Sequence, residues 1–562
     1  MQLPSAQTPP PEGAAPLAGR RRRRPALSRL LGPVLAVGSA LALAGAWMVG
    51  VVPAAQSATG AGAGFWRTSG NQILDSSGAM VRIAGVNWYG FETPDEIAHG
   101  LWAQDYHAVL NDIKNLGYNT IRIPFSNQMV ETPIVPQNFS QFNSTGPINT
   151  DLAGLNSLQI LDKIITAAGQ DGLKVILDNH RSEAGETAEA NGLWYTSAYP
   201  SSAWVNDWAT MAKRYAGNPT VVGFDLRNEP HTPAGVTYAN GATWGNGDPA
   251  HDIRLAYQQA GNAILAVNTN ALIFAEGIGE TPNASGGFDS TWWGGDLALA
   301  GQFPVTLSSP GHLVYSAHDY GPVLFQQTWF NSTTTSASLD AVWNKFWGYL
   351  WVNNTAPIWV GEFGTGNGAT DVSDSAAGSE GQWFSSLFAY IKSAPSMGWT
   401  YWALNGEDSF ALLDNGYDAT PVSAAKQSLL ASDEMPLPGA VNGTPPPTGT
   451  GTGPGSAPVS CHAAFSITNS WSTGFQAQVV LTNTGTSALS GWSLAWTFPG
   501  AQQIISGWTA VFTQTGANVT AANEPYNATI APSGSVTMGF TANGPFATAT
   551  PASFKVNGTA CA

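Results

Sequence analysis

Two glutamates stand at the ends of apolar runs in a pattern suited to acid–base work on a sugar–sugar bond. Glu229 follows Leu226-Arg227-Asn228 and precedes Pro230, and Glu362 lies in Val360-Gly361-Glu362-Phe363-Gly364. Cleaving a glycosidic bond takes two carboxyl groups in different states. One keeps its proton at working pH and delivers it to the departing oxygen. The other stays ionised and attacks the anomeric carbon or activates water. Further polar residues close neighbouring apolar runs: Arg122 in Ile121-Arg122-Ile123-Pro124, His180 in Leu177-Asp178-Asn179-His180, His318 and Tyr320 in Ala317-His318-Asp319-Tyr320, and Trp402 after Tyr401. A single carboxylate in such a place is ordinarily a helix cap or an ion-pair partner. Six run ends that all carry polar groups call for a shared site. No ligand-rich metal motif accompanies the two histidines, so neither a metal ion nor a cofactor is expected.

A scaffold must bring these ends together. Eight segments read as strands: Val81–Trp88, Asn119–Pro124, Leu173–His180, Val221–Asn228, Ala271–Glu276, His312–His318, Pro357–Glu362 and Gly398–Leu404. Most are near-continuous apolar runs, as strands covered on both faces should be. Helix-period stretches separate them, at Leu101–Leu116, Leu155–Asp171, Ala203–Tyr215, Ile253–Val267, Leu339–Val352 and Gly381–Lys392. The fifth connection, Gly277–Gly311, is loop-rich and shows no clear helix. The alternation predicts a (β/α)8 TIM barrel over residues 60–435, whose C-terminal strand ends share one mouth. A doubly wound open sheet is the alternative, weakened because no strand leads into a dinucleotide-binding glycine fingerprint. Asp178 and Asp225 fall inside strands and read as structural. Trp194, Trp244, Trp292 and Trp293 fall in loops, where each either lines sugar subsites or packs the loop.

Asn228-Glu229-Pro230 and Gly361-Glu362-Phe363-Gly364, with Arg122, His180, His318, Tyr320 and Trp402 around them and Arg82-Ile83-Ala84-Gly85-Val86-Asn87-Trp88 at the start, resemble family 5 glycoside hydrolases. The similarity is greatest to the actinobacterial endo-β-1,4-glucanases of that family. The resemblance implies a retaining cellulase with Glu229 as acid/base and Glu362 as nucleophile. It implies that Asn228 bonds the sugar 2-hydroxyl, that Arg122 and Tyr320 hold Glu362 ionised, and that His180 and His318 orient substrate and Glu229. Trp402 would floor the cleavage point. The same family acts on mannan, xylan and xyloglucan, which stay open as substrates. So does a non-catalytic polysaccharide-binding role, although both glutamates are present.

A Pro/Thr/Gly linker over 436–458 separates the barrel from a strand-rich C-terminal region, 459–562, that reads as a small β-sandwich. Cys461 and Cys561, the chain's two cysteines, bracket it and are expected to pair in an exported protein. Asn469-Ser470-Trp471, Gly507-Trp508 and Asn523-Glu524-Pro525-Tyr526-Asn527 make this region similar to family 2 carbohydrate-binding modules. That likeness implies a flat cellulose-binding face of Trp471, Trp508 and Tyr526, while Trp492 alternates with apolar neighbours and reads as core.

Composition narrows the partners. Charged residues are 10% of the chain against a usual quarter, and the net charge is -16. Such a surface repels phosphate backbones and excludes nucleic acid, but a neutral polymer such as cellulose or a related β-glucan approaches it freely. No obligate protein partner is expected, and the default is a monomer. Residues 1–58 read as an export signal: basic Arg20–Arg24 and Arg29, an apolar stretch Leu30–Val52, then small residues Ala54–Ala58. The stretch also has the length of a retained membrane anchor. Either way the expected location is outside the cell.

Overall fold

The computed structural model describes residues 61–437, except 145 and 419, and most of 460–561. The export segment and linker residues 438–458 lie outside the described residues, and Leu437, at the start of the expected linker, is buried in the barrel's core. Eight strands form a closed parallel barrel: β1 (Ala84–Asn87), β2 (Thr120–Ser126), β3 (Lys174–Arg181), β4 (Val221–Asp225), β5 (Leu272–Glu276), β6 (Leu313–His318), β7 (Ile358–Glu362) and β8 (Gly398–Tyr401). Each pairs with its neighbours in chain order, and β8 closes on β1. Nearly every strand residue is buried, which is why the runs are apolar throughout and do not alternate.

Helices wrap the barrel where the 3.6-residue period predicted them. In Ser157–Gln170, residues Ile160, Leu161, Ile164, Ile165 and Ala168 form one buried stripe. Asn156 caps this helix reciprocally with Gln159, a capping box. The fifth connection carries a hairpin, Glu280–Pro282 with Phe288–Ser290, where a helix would stand in a regular barrel. A short helix, Ala424–Ala431, follows β8 and was not evident from periodicity.

The barrel floor is apolar and its mouth is polar. Ile176, Val222, Leu272, Val314 and Trp359, from the N-terminal parts of the strands, cluster with Ile83 just before β1, with Ile73 and Val81 of the leading three-stranded sheet and with Trp66 just before it. That small sheet stoppers the lower end. Asn87, His180, Glu276, His318 and Glu362 come from the opposite ends of the strands.

The C-terminal region is a β-sandwich. A four-stranded antiparallel sheet runs in the order Cys461–Trp471, Gly474–Asn483, Ser535–Asn543, Gln503–Trp508, and a five-stranded sheet lies beside it in the fold. Alternate residues Phe475, Ala477, Val479 and Leu481 meet Met538, Phe540 and Ala542 in the core, with Trp492 and Trp496. Cys461 and Cys561 are bonded and close a loop of 100 residues. A closure of that length removes about 5 kcal/mol of unfolded-chain entropy. Tyr526 lies outside the described residues, as do the side chains of Trp471 and Trp508. The backbones of those two tryptophans sit on the two edge strands of the four-stranded sheet. Among the described residues no helix is long and apolar enough to cross a membrane.

Candidate active site

Arg122, fully buried inside β2, organises the mouth. Its Nη1 donates to Glu362 Oε1 at 2.6 Å and to Asn87 Oδ1 at 3.0 Å. Its Nε donates to Asp225 Oδ2 at 2.9 Å, and Nη2 reaches Asn228 Oδ1 at 3.0 Å, Asp178 Oδ1 at 3.1 Å and Glu276 Oε1 at 3.2 Å. A guanidinium is the one side chain with donors enough for so many acceptors. Asp178 and Asp225, expected to be structural, fix this cation.

Glu362 ends β7. Tyr320 donates its hydroxyl to Glu362 Oε2 at 2.8 Å. Burial alone would raise the pKa of Glu362. The positive charges of His318 and Arg122 outweigh burial and hold it below the ordinary carboxylate value. Glu229 follows β4 in a left-handed backbone conformation, with φ 50°. Its Oε1 stands 3.2 Å from His318 Nδ1, and its side chain is 17% exposed. Here burial prevails and the pKa rises, despite the hydrogen bond from His318. The surroundings thus shift one glutamate toward its ionised form and the other toward its protonated form.

Oxygens of the two glutamates and a nitrogen of His318 all lie within 4.8 Å of one another. That spacing suits the roughly 5–5.5 Å of a direct nucleophile and not the ~6.5–9.5 Å that leaves room for an attacking water. His318 Nδ1 is also 3.5 Å from Glu362 Oε2. Asp178, Asp225 and Glu276 converge as closely as an ion site would, but Arg122 already fills the space among them.

His180 bonds Asp178 Oδ2 through Nδ1 at 2.7 Å. Burial lowers its pKa, Asp178 outweighs this, and the net direction is upward. Trp402 stacks on His180 at 5.6 Å and on Tyr89 at 5.4 Å between ring centroids, and its indole is half-buried. Every barrel residue singled out from sequence therefore meets in one mouth. The loop tryptophans divide. Trp194 and Trp244 are core residues whose indole N–H groups donate to Ser201 Oγ and to the Phe303 carbonyl. Trp292 is buried against Tyr320. Trp293 is 47% exposed and stacks face to face on His231, 3.7 Å away.

Two residues escaped the sequence reading. Asn87 ends β1, accepts from Arg122 and donates to the Gly361 and Tyr401 carbonyls. Glu276 ends β5, where its carboxylate takes the Glu229 backbone N–H at 2.7 Å. Position at a strand end was the available signal for both.

A closed parallel barrel with two glutamates of opposed proton affinity at its mouth defines a glycoside-cleaving class of protein. Comparison with known proteins places it more closely. Residues 74–408 match the cellulase family, glycosyl hydrolase family 5, and residues 461–561 match the cellulose binding domain. An endoglucanase of Paenibacillus polymyxa is 43% identical over 377 residues, covering 66% of this chain and 88% of its own. The major extracellular endoglucanase of Xanthomonas campestris pv. campestris is 32% identical over 496 residues, 84% of this chain and 93% of its own. The solved structure of a hyperthermophilic endocellulase from Pyrococcus horikoshii superposes with a TM-score of 0.59 at 32% identity, over 67% of this chain and all of that one. The chain belongs to glycosyl hydrolase family 5 and carries a cellulose-binding domain at its C-terminal end.

Proposed function

We propose that this chain is a retaining endo-β-1,4-glucanase that cleaves internal bonds of cellulose outside the cell. The observation that carries the reading is the glutamate pair, with an oxygen of each within 4.8 Å of the other and their proton affinities displaced in opposite directions. Glu362, ionised, attacks the anomeric carbon while Glu229 protonates the leaving oxygen. A glycosyl–enzyme ester forms on Glu362. Glu229, now a carboxylate, takes a proton from water, which releases the sugar with its configuration retained.

The surrounding residues serve those two steps. Arg122 and the Tyr320 hydroxyl aim Glu362 and keep it charged. Asn228, its Oδ1 fixed by Arg122, has its amide N–H group to offer the sugar 2-hydroxyl, a bond that tightens at the transition state. His180, with Nδ1 engaged by Asp178, presents Nε2 to substrate, and His318 sets Glu229. Trp402 is the sugar floor. The catalytic domain is taken as residues 60–435, the linker as 436–458 and the binding module as 459–562, with Trp471, Trp508 and Tyr526 as its cellulose face. Support for cellulose comes from the relatives named endoglucanase and from the cellulose-binding domain. The Cys461–Cys561 bond suits an oxidising, extracellular setting. The enzyme is taken to work as a monomer.

Viscosity and reducing ends followed together on carboxymethyl cellulose, barley β-glucan, mannan and xylan test this. A fast viscosity drop on carboxymethyl cellulose that is lost in Glu362→Gln is the expected result. Cleavage confined to mannan or xylan would move the substrate, and activity surviving Glu362→Gln would remove the nucleophile.

A further inference from the structure

Glu276 takes no part in the two steps above, yet its carboxylate lies fully buried directly beneath them. Oε2 accepts the Glu229 backbone N–H at 2.7 Å. Oε1 stands 3.3 Å from His318 Nε2 and 3.2 Å from Arg122 Nη2. The other nitrogen of His318, Nδ1, faces Glu229 Oε1 at 3.2 Å and Glu362 Oε2 at 3.5 Å. A single carboxylate therefore grips the backbone of one glutamate and, through an imidazole, addresses the side chains of both. The surroundings are built around it. Glu229 has a positive φ that costs a non-glycine residue about 1–3 kcal/mol, and its N–H is the one Glu276 holds. Gly294, itself at φ 71°, passes so close that a Cβ there would meet Glu276 Oε2 at 2.5 Å and Glu229 Cα at 3.4 Å.

We propose that Glu276 is a positioning residue for the reaction, holding Glu229 in its left-handed turn and keeping His318 as an imidazolium between the two glutamates. This rests on the roles given to Glu229 and Glu362 above. The acidic groups around His318 are Glu276 at Nε2, Glu229 and Glu362 at Nδ1, and Asp225 at longer range. Burial favours the neutral ring, but Glu276 and Glu362 outweigh it and raise the pKa well above the ordinary histidine value. The charged ring has an Nδ1–H for Glu229 and supplies positive charge beside Glu362. Asp178 backs His180 in the same manner, from β3. Glu276→Gln retains an oxygen for the Glu229 N–H but removes the charge opposite Nε2. His318 then gives up its proton, and Glu362 loses its neighbouring imidazolium.

The full-length wild type, Glu276→Gln and Glu276→Asp are compared on a soluble cello-oligosaccharide, with thermal melting to confirm folding. Glu276→Gln is expected to leave KM within a few-fold, to lower kcat on the order of 10²-fold, and to move the acid limb of kcat/KM upward by about one pH unit. Glu276→Asp restores the charge and returns the limb to its wild-type position, even where its shorter reach leaves kcat low. Side-chain NMR of the histidines reads the same event without turnover: His318 carries a proton on both nitrogens at neutral pH in the wild type and on one in Glu276→Gln. In a folded Glu276→Gln variant, an unmoved acid limb or an unmoved His318 signal overturns the proposal. Failure of the two-glutamate reading shows separately, as turnover that survives in Glu362→Gln.

Discussion

Replacing Tyr320 by phenylalanine removes one oxygen from the mouth and leaves the ring in place. The ring packs edge-on to Trp292 at 6.0 Å and against Phe410 at 6.0 Å, contacts a phenyl group keeps. What disappears is the 2.8 Å hydrogen bond to Glu362 Oε2. That bond favours the ionised carboxylate, and a hydrogen bond to a charged group is worth about 1.5–3 kcal/mol. At about 1.4 kcal/mol per pKa unit, the nucleophile should become harder to ionise by roughly 1–2 units. Arg122, at 2.6 Å, still holds the other oxygen, so Glu362 stays in position and the loss is partial. With Glu362 as the proposed nucleophile, the acid limb of kcat/KM reports its ionisation in the free enzyme, and it should climb by that interval in Tyr320→Phe. Melting temperature should change little. Initial rates on a soluble oligosaccharide from pH 3 to pH 8 measure it. A limb that stays where it was, in a variant whose rate has fallen, would refute the argument that Tyr320 tunes Glu362. The NMR signal of His318 should not move, which separates this variant from Glu276→Gln.

Cutting the chain within Thr444–Pro458 should preserve hydrolysis of soluble substrate and reduce it on crystalline cellulose; equal losses on both would show that the barrel depends on the module. Cys461→Ser should destabilise the sandwich by roughly 2–5 kcal/mol, seen as a lower melting transition with soluble-substrate activity intact. Stability should fall as pH rises from about 4 toward 7. Burial pushes Asp112, Asp207, Asp296 and Asp319 up to about 7 and Glu380 to about 6, so the folded chain holds protons that the unfolded chain releases across that window. Below the window the sign reverses, because Asp75 is held low by donors from Ala63, Ser77 and Ala79 that outweigh its burial. Calorimetry should therefore find the highest melting temperature near pH 4–5, and a maximum at neutral pH would contradict the burial argument.

The strands were legible because a parallel barrel buries both faces, so each strand writes itself as an apolar run ending in a polar residue. The leading sheet was not, because Arg67–Ser69, Gln72–Leu74 and Met80–Val81 are too short to set up a period, and their reason for existing is to cover Trp359 and its neighbours from below. Loop tryptophans were ambiguous for a related reason. Trp194 and Trp293 look alike in sequence, and only the path of the loop decides that one packs against Trp204 while the other lies open on His231. Glu276 was passed over because its run, Leu272-Ile273-Phe274-Ala275-Glu276, carries one polar residue and no surrounding motif. Its importance comes from β4 and β6 standing on either side of β5, a fact of topology that a one-dimensional pattern does not contain.

The two glutamates began as identical residue types in equivalent places, each at the mouth end of a barrel strand. Their difference comes from the neighbours the barrel assigns. β7 sets Glu362 within reach of Arg122, Tyr320 and His318, so two positive charges and a hydroxyl converge on one carboxylate. β4 delivers Glu229 past the strand end, in a turn that lifts it away from Arg122 and leaves it His318 alone. Burial raises the pKa of both; at Glu362 the charges of His318 and Arg122 outweigh it, whereas at Glu229 the help of His318 is opposed by the negative charges of Glu362 and Glu276. Exchanging their roles would require moving Arg122, which is fixed by bonds to Asp225, Asn87 and Asn228 that have nothing to do with either glutamate's side chain. The opposed proton affinities of the two glutamates therefore depend on β2, two strands away from Glu229 in one direction and three from Glu362 in the other.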